Sequence, residues 1–299
     1  MFSPKKFFLL MRDAFRELQR NNPLRMAGAT AFFTTFSLPF IVIIIVQLFG
    51  IFVNPRFLGL ELMKRLSDIL GYESAAQIRE TALNFRQLAQ NWYVTILGFL
   101  FIVFVSTTLF GVIKDSLDQL WKVRVKQNPG MLFFFFTRLR SFAVILLIGI
   151  LFLTGIVTEP IENFISSLVD GAFPNSGHLL KMSLNVTVST IIISIWFTLL
   201  FRFLADGRPS WMAAVAGGVV TSTLFTIGKL VLWFLLIKSN IGTLYGKAGS
   251  IVLILLFVFY TSLILYYGAS FVLCFSQRAG HAIHVVNKAY RYKVEEIAE

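Results

Sequence analysis

The chain has 299 residues, 57% of them hydrophobic and 14% charged. Soluble domains run at about one quarter charged, so this composition excludes an ordinary soluble enzyme and marks a membrane protein. The net charge of +12 would suggest nucleic acid in a soluble chain, but in a membrane protein the placement of the cations decides more than their sum.

A single cysteine, Cys274, excludes an intramolecular disulfide framework, and its apolar surroundings assign it to packing. No cleavable signal peptide pattern is visible, because the first long apolar run begins only after a charged, helical stretch. That stretch opens with Ser3-Pro4 as an N-cap and first helical position. Phe7, Phe8, Met11, Ala14, Phe15 and Leu18 then recur at helical spacing, opposite Arg12, Arg16, Glu17 and Arg20, until Asn21-Asn22-Pro23 ends the helix. A basic amphipathic helix before a span lies either in an anionic headgroup layer or on the protein's own cytoplasmic face.

Six candidate spans follow: 27–52, 92–114, 139–158, 179–203, 211–237 and 250–275. Each is near the length that a ~30 Å hydrocarbon slab requires. Lysines and arginines cluster in the N-terminal segment, in the second-to-third and fourth-to-fifth connections, and in the tail. About 18 cations fall there against about 8 on the opposite side, which places both termini in the cytoplasm by the positive-inside rule. Between the first two spans, Leu58, Leu62, Leu66, Ile69 and Leu70 form one apolar face. Ile78, Ala82, Phe85 and Leu88 form another, with Ser74 as a candidate cap, so residues 54–91 read as a helical hairpin on the outer mouth. A second outer segment, 159–181, is acidic. The whole is one membrane domain: residues 1–26 a cytoplasmic amphipathic helix, 27–275 the bundle, 276–299 a cytoplasmic tail.

The residues inside the membrane carry the functional expectation. On the fifth span Ser222, Thr226, Lys229 and Trp233 share one helix face. Lys229 stands about 12 Å from that span's outer end at 1.5 Å per residue. It either snorkels to the interface or faces a polar cavity and binds an anion; the polar face favours the cavity. The fourth span carries a stripe of Thr187, Thr190, Ser194 and Thr198, whose hydroxyls either bond the preceding turn or line a route. Ala213, Gly217 and Thr221 form a row of small residues suited to close helix packing. At the cytoplasmic end of the second span, Asp118 and Lys122 are spaced to pair at i, i+4. Three histidines, His178, His281 and His284, lack the ligand company of a metal site, and no nucleophile elbow or phosphate loop is present. Asp115 with Asp118 is too weak a pair for a metal-dependent nuclease. No cofactor is expected.

The chain resembles the YihY/BrkB family of bacterial inner-membrane proteins, once mislabelled ribonuclease BN. The resemblance is carried by Ala27-Gly28…Phe36-Ser37-Leu38-Pro39, by Asp115-Ser116-Leu117-Asp118-Gln119-Leu120-Trp121, by Leu224-Phe225-Thr226-Ile227-Gly228-Lys229, and by Leu244-Tyr245-Gly246-Lys247-Ala248-Gly249-Ser250, with Tyr260 and Gly268-Ala269 continuing it. Asp118, Lys247 and Ser270 depart from the residues usual there. The resemblance implies a six-span inner-membrane protein linked loosely to envelope integrity and lipid handling. The sequence therefore predicts an all-α polytopic membrane protein with six transmembrane helices and amphipathic interfacial helices. Its expected role is transport or flipping of an anionic amphiphile, with Lys229, Thr226, Ser222, Trp233, Thr190 and Ser194 as substrate contacts. Membrane lipids are the expected partners and nucleic acid is not. The alternative role is a non-transporting envelope scaffold, and a ribonuclease comes last.

Overall fold

The structure is a computed structural model that describes residues 4–51, 54–88, 92–125, 178–238, 248–280, 283–285 and 289–292. The predicted third span, the acidic segment before residue 178, the Gly-rich turn at 242–247 and most of the tail lie outside the described residues. The chain is an all-α membrane protein. Four of its described helices contain stretches long and apolar enough to cross a membrane, at Pro23–Gln47, Val186–Phe203, Trp211–Leu232 and Gly249–Arg278.

Helix α1 (Pro4–Arg20) ends where Asn22 takes a left-handed conformation, φ 53°, and α2 (Pro23–Phe49) begins at the proline. A proline at the first helical position loses no hydrogen bond, since that amide has no partner in the helix. The span therefore starts earlier than the apolar run implies. Leu10, Ala14 and Leu18 bury one face of α1 against the last helix, α8 (Gly249–Arg278). A flanking face leaves Phe8 and Phe15 exposed. Tyr267 on α8 donates to the Met11 carbonyl (3.0 Å), and Arg278 is paired with Asp13. So α1 packs on its own protein, the second of the two expected placements, while presenting aromatic side chains outward.

The hairpin is present as α3 (Pro55–Leu70) and α4 (Tyr72–Leu88). Leu58, Leu62, Leu70 and Ile78 bury a small apolar cluster with Val42, Ile45 and Phe49 of α2 and Ile254 of α8. Ser74 is not a cap. It lies within α4 and donates to the Ser250 carbonyl (3.3 Å), tying the hairpin to α8.

Helices α5 (Trp92–Leu120), α6 (His178–Phe203) and α7 (Trp211–Lys238) complete the described bundle. Helix α2 packs on α5 and α8, and α7 packs on α6 and α8. The row of small residues on α7 forms these contacts. A Cβ at Gly217 would run into Val272, and one at Gly268 into Thr221, so α7 and α8 meet almost backbone to backbone. Gly218 likewise faces Thr198 and the Ser194 carbonyl of α6.

The four short strands among the described residues were not expected from the sequence. β1 (Val123–Val125) pairs antiparallel with β4 (Ala289–Arg291), and β2 (Gly207–Arg208) with β3 (His284–Val285). The tail thus straps the turns that follow α5 and α6. Beneath the strap lies the tightest part of the core, where Trp121, Tyr266, Phe201 and Phe271 are fully buried. The Trp121 indole donates to the Ala269 carbonyl (3.0 Å). The end of the bundle that holds α1 and the strap is the basic end.

Candidate functional site

Among the described residues, three features hold polar or ionisable chemistry. The first is the face predicted on α7. Ser222 is buried and Thr226 half-buried, while Lys229 is exposed. Neighbouring helices cover this face at Ser222 and leave it open two turns later. The hydroxyls are engaged locally. Thr226 donates to the Ser222 carbonyl (2.9 Å) and Thr190 to the Val186 carbonyl (2.7 Å), while the two threonine hydroxyls meet across α6 and α7 at 3.2 Å. Ser194 is half-buried and its carbonyl accepts from Thr198 (2.7 Å). The Trp233 side chain lies outside the described residues. The structure thus brings Thr226 and Thr190 together and places Ser222 and Ser194 at the α6–α7 seam.

The second feature is a buried charge network at the basic end. Lys114, 6% exposed, lies 3.0 Å from Asp118 and 2.6 Å from Asp206, with the exposed Asp115 at 4.0 Å. The other Asp118 oxygen accepts the backbone N–H groups of Asp206 (2.8 Å) and Gly207 (3.3 Å). Asp118 therefore fixes the turn leading into β2, and Gly207 leaves room there for the Trp121 ring, which an added Cβ would meet at 2.8 Å. The expected Asp118–Lys122 pair does not form, because the helix ends at Leu120 and Lys122 turns to a positive φ of 57°. Lys122 bonds Glu17 of α1 instead (3.1 Å). Asp118 lies beyond residues 92–114, the stretch that the sequence reading takes as the second span. Burial is the larger influence there and raises its carboxyl above the usual range; Lys114 opposes this and Asp206 adds to it. No group of three or more metal-ligating side chains occurs among the described residues.

The third feature is a cavity of about 1030 Å³ beside α1. Phe15, Leu18 and Gln19 of α1 line it, with Asn22 and Arg25 at the start of α2, Leu224 of α7, and Leu263, Ile264 and Tyr267 of α8. One turn farther along both helices, α7 and α8 are in close contact. A Cβ at Gly228 would run into the Tyr260 ring and hydroxyl, so that tyrosine fills the notch the glycine leaves. Among the described side chains, Ser222, Thr226, Lys229, Thr190 and Ser194 do not line this cavity. Sequence reasoning missed it because it lies between four separate segments. A partial signal was there, since Leu224 and Gly228 are one turn apart within a stretch already singled out.

Two curated relatives align over most of the chain. A UPF0761 membrane protein of Pseudoalteromonas translucida is 25% identical over 260 residues, covering 84% of this chain and 80% of its own. One of Aromatoleum aromaticum is 24% identical over 248 residues, covering 82% of this chain and 58% of its own. A third UPF0761 membrane protein, from Actinobacillus pleuropneumoniae, is 25% identical over 160 residues. No solved structure matches the chain. The model of the family described as Virulence factor BrkB matches residues 14–291, from within α1 through the buried charge network and the cavity-lining helices to the last strand, and the chain belongs to that family.

Proposed function

We propose that this protein is a transporter or flippase for an anionic amphiphile, with six spans and both termini in the cytoplasm of the bacterial inner membrane. The observation that carries this reading is the cavity of about 1030 Å³, which joins a polar, cationic mouth to an apolar interior between transmembrane helices. The six-span count adds α5 and residues 139–158 to the four apolar stretches already described. The orientation rests on the concentration of lysine and arginine at the basic end. In this reading the cavity is the loading site and the Gly228–Tyr260 contact is the constriction beyond it. Lys229 is the charge contact on the far side, with Ser222, Thr226 and Trp233 on its face and Thr190 and Ser194 on the adjoining stripe.

The test is lipid movement in liposomes containing the purified protein, read by chemical quenching of a fluorescent anionic lipid in the outer leaflet. Wild type is expected to move the probe. Lys229→Met should slow it about tenfold or more, the worth of a charge-assisted contact. Folded wild type that moves no probe would rule out transport and leave an envelope scaffold, in which Lys229 only snorkels.

A further inference from the structure

The geometry points to the cavity beside α1 as a binding site for a phospholipid with an anionic headgroup, its phosphate on Arg25 and an acyl chain along Leu224 and Leu263. This rests on the transport reading and names the class of molecule loaded and the cation that receives it.

The cavity presents two chemistries in the order in which a lipid carries them. Gln19, Asn22 and Arg25 stand at one end, where α1 gives way to α2. Leu224 and Leu263 lie inward, and Leu224 is about 20 Å along α7 from Trp211 at 1.5 Å per residue. That depth is hydrocarbon in a ~30 Å slab. A free phosphate would leave the apolar length empty, whereas a phospholipid fills both parts.

Charge complementarity selects the headgroup. Other cations at the basic end meet carboxylates: Arg20 and Lys122 approach Glu17 (3.8 and 3.1 Å), and Arg278 pairs with Asp13. Arg25 is exposed and has no carboxylate partner among the described residues. A guanidinium presents a planar fork that matches two phosphate oxygens. Helix α1 sets the level of the mouth. Lys5, Arg12 and Arg16 fall within about 40° of one another around its axis, beside the exposed Phe8 and Phe15. Cations next to exposed aromatics hold a helix among headgroups, and Phe15 belongs both to that surface and to the cavity wall.

Full-length protein in a non-ionic detergent would be offered dioleoyl phosphatidylglycerol or dioleoyl phosphatidylcholine. Retained lipid would be read by native mass spectrometry and thermal stabilisation by melting. Wild type should retain the anionic lipid about tenfold or more over the zwitterionic one. Arg25→Gln, at an exposed position, should melt normally without lipid and lose most of that preference. Leu263→Trp, which fills the apolar length, should lower retention of both lipids. Equal retention of the two lipids by wild type, or an unchanged preference in Arg25→Gln, would overturn the headgroup contact. Inorganic phosphate stabilising as well as phosphatidylglycerol would overturn the lipid assignment. Retention needs no transport, so a preserved preference with no movement in liposomes removes the transport reading and leaves this site standing.

Discussion

Lys114 faces Asp118 and Asp206, two buried carboxylates sharing one ammonium. Removing the cation would leave two like charges close together with little water. Lys114→Met should therefore cost about 3–5 kcal/mol, seen as a large loss of thermal stability in detergent. Asp118→Asn should be much milder. The amide oxygen can still accept from the Asp206 and Gly207 N–H groups, and Lys114 keeps Asp206. The pH dependence has a definite sign. The Asp118 carboxyl is raised in the fold, so its ionised form is less favourable there than in the unfolded chain. That penalty is present above the raised value and vanishes as pH falls through it to the ordinary carboxylate range. Asp118→Asn should accordingly gain on wild type as pH rises, in melts compared across mildly acidic to neutral buffer. A difference that shrinks with rising pH would contradict this account.

At the scale of helices, the contacts of α7 turn on glycines with different surroundings. Gly218 faces the Ser194 carbonyl of α6, which would sit 2.7 Å from an added Cβ, and backbone cannot step aside as a side-chain tip can. Gly218→Ala should force α6 and α7 apart and cost about 1–3 kcal/mol. Gly28, within α2, has nothing within 4 Å of its would-be Cβ. Gly28→Ala should gain up to about 1 kcal/mol from helix propensity alone. Melting of the two variants side by side separates packing from propensity, and equal effects would mean the α6–α7 seam is looser than described.

Across the whole molecule, the tail is what closes the basic end. Its two strands pair with the turns after α5 and α6, and Ile283 enters the core beneath them. Truncation after Gly280 removes both ladders and should lower the melting temperature while leaving the far-end hairpin cluster of Leu58, Leu62 and Ile254 in place. Protease protection resolved along the chain would separate the two ends, and loss of protection at the hairpin would contradict the separation. Orientation is tested independently. Cysteines at Arg124 and Tyr290 should react with an impermeant reagent only from the cytoplasmic side, and one at Glu80 only from outside.

The sequence by itself determined the class, the positions of the described spans and the hairpin, because apolar length and 3.6-residue periodicity are local properties that bilayer thickness converts directly into structure. It also marked Gly217 and Thr221 as a close-packing surface, since small side chains at four-residue spacing have few other uses inside a membrane. Only the tertiary structure decided which charges meet. Asp118 had two basic residues in reach along the chain, Lys114 and Lys122, and helical spacing could not choose between them. The end of α5 at Leu120 and the burial of Asp206, 88 residues from Asp118, settled the choice. The cavity is a stronger case of the same limit. Its described walls come from α1, α2, α7 and α8, and empty space between segments far apart in sequence leaves no periodic mark on any one of them.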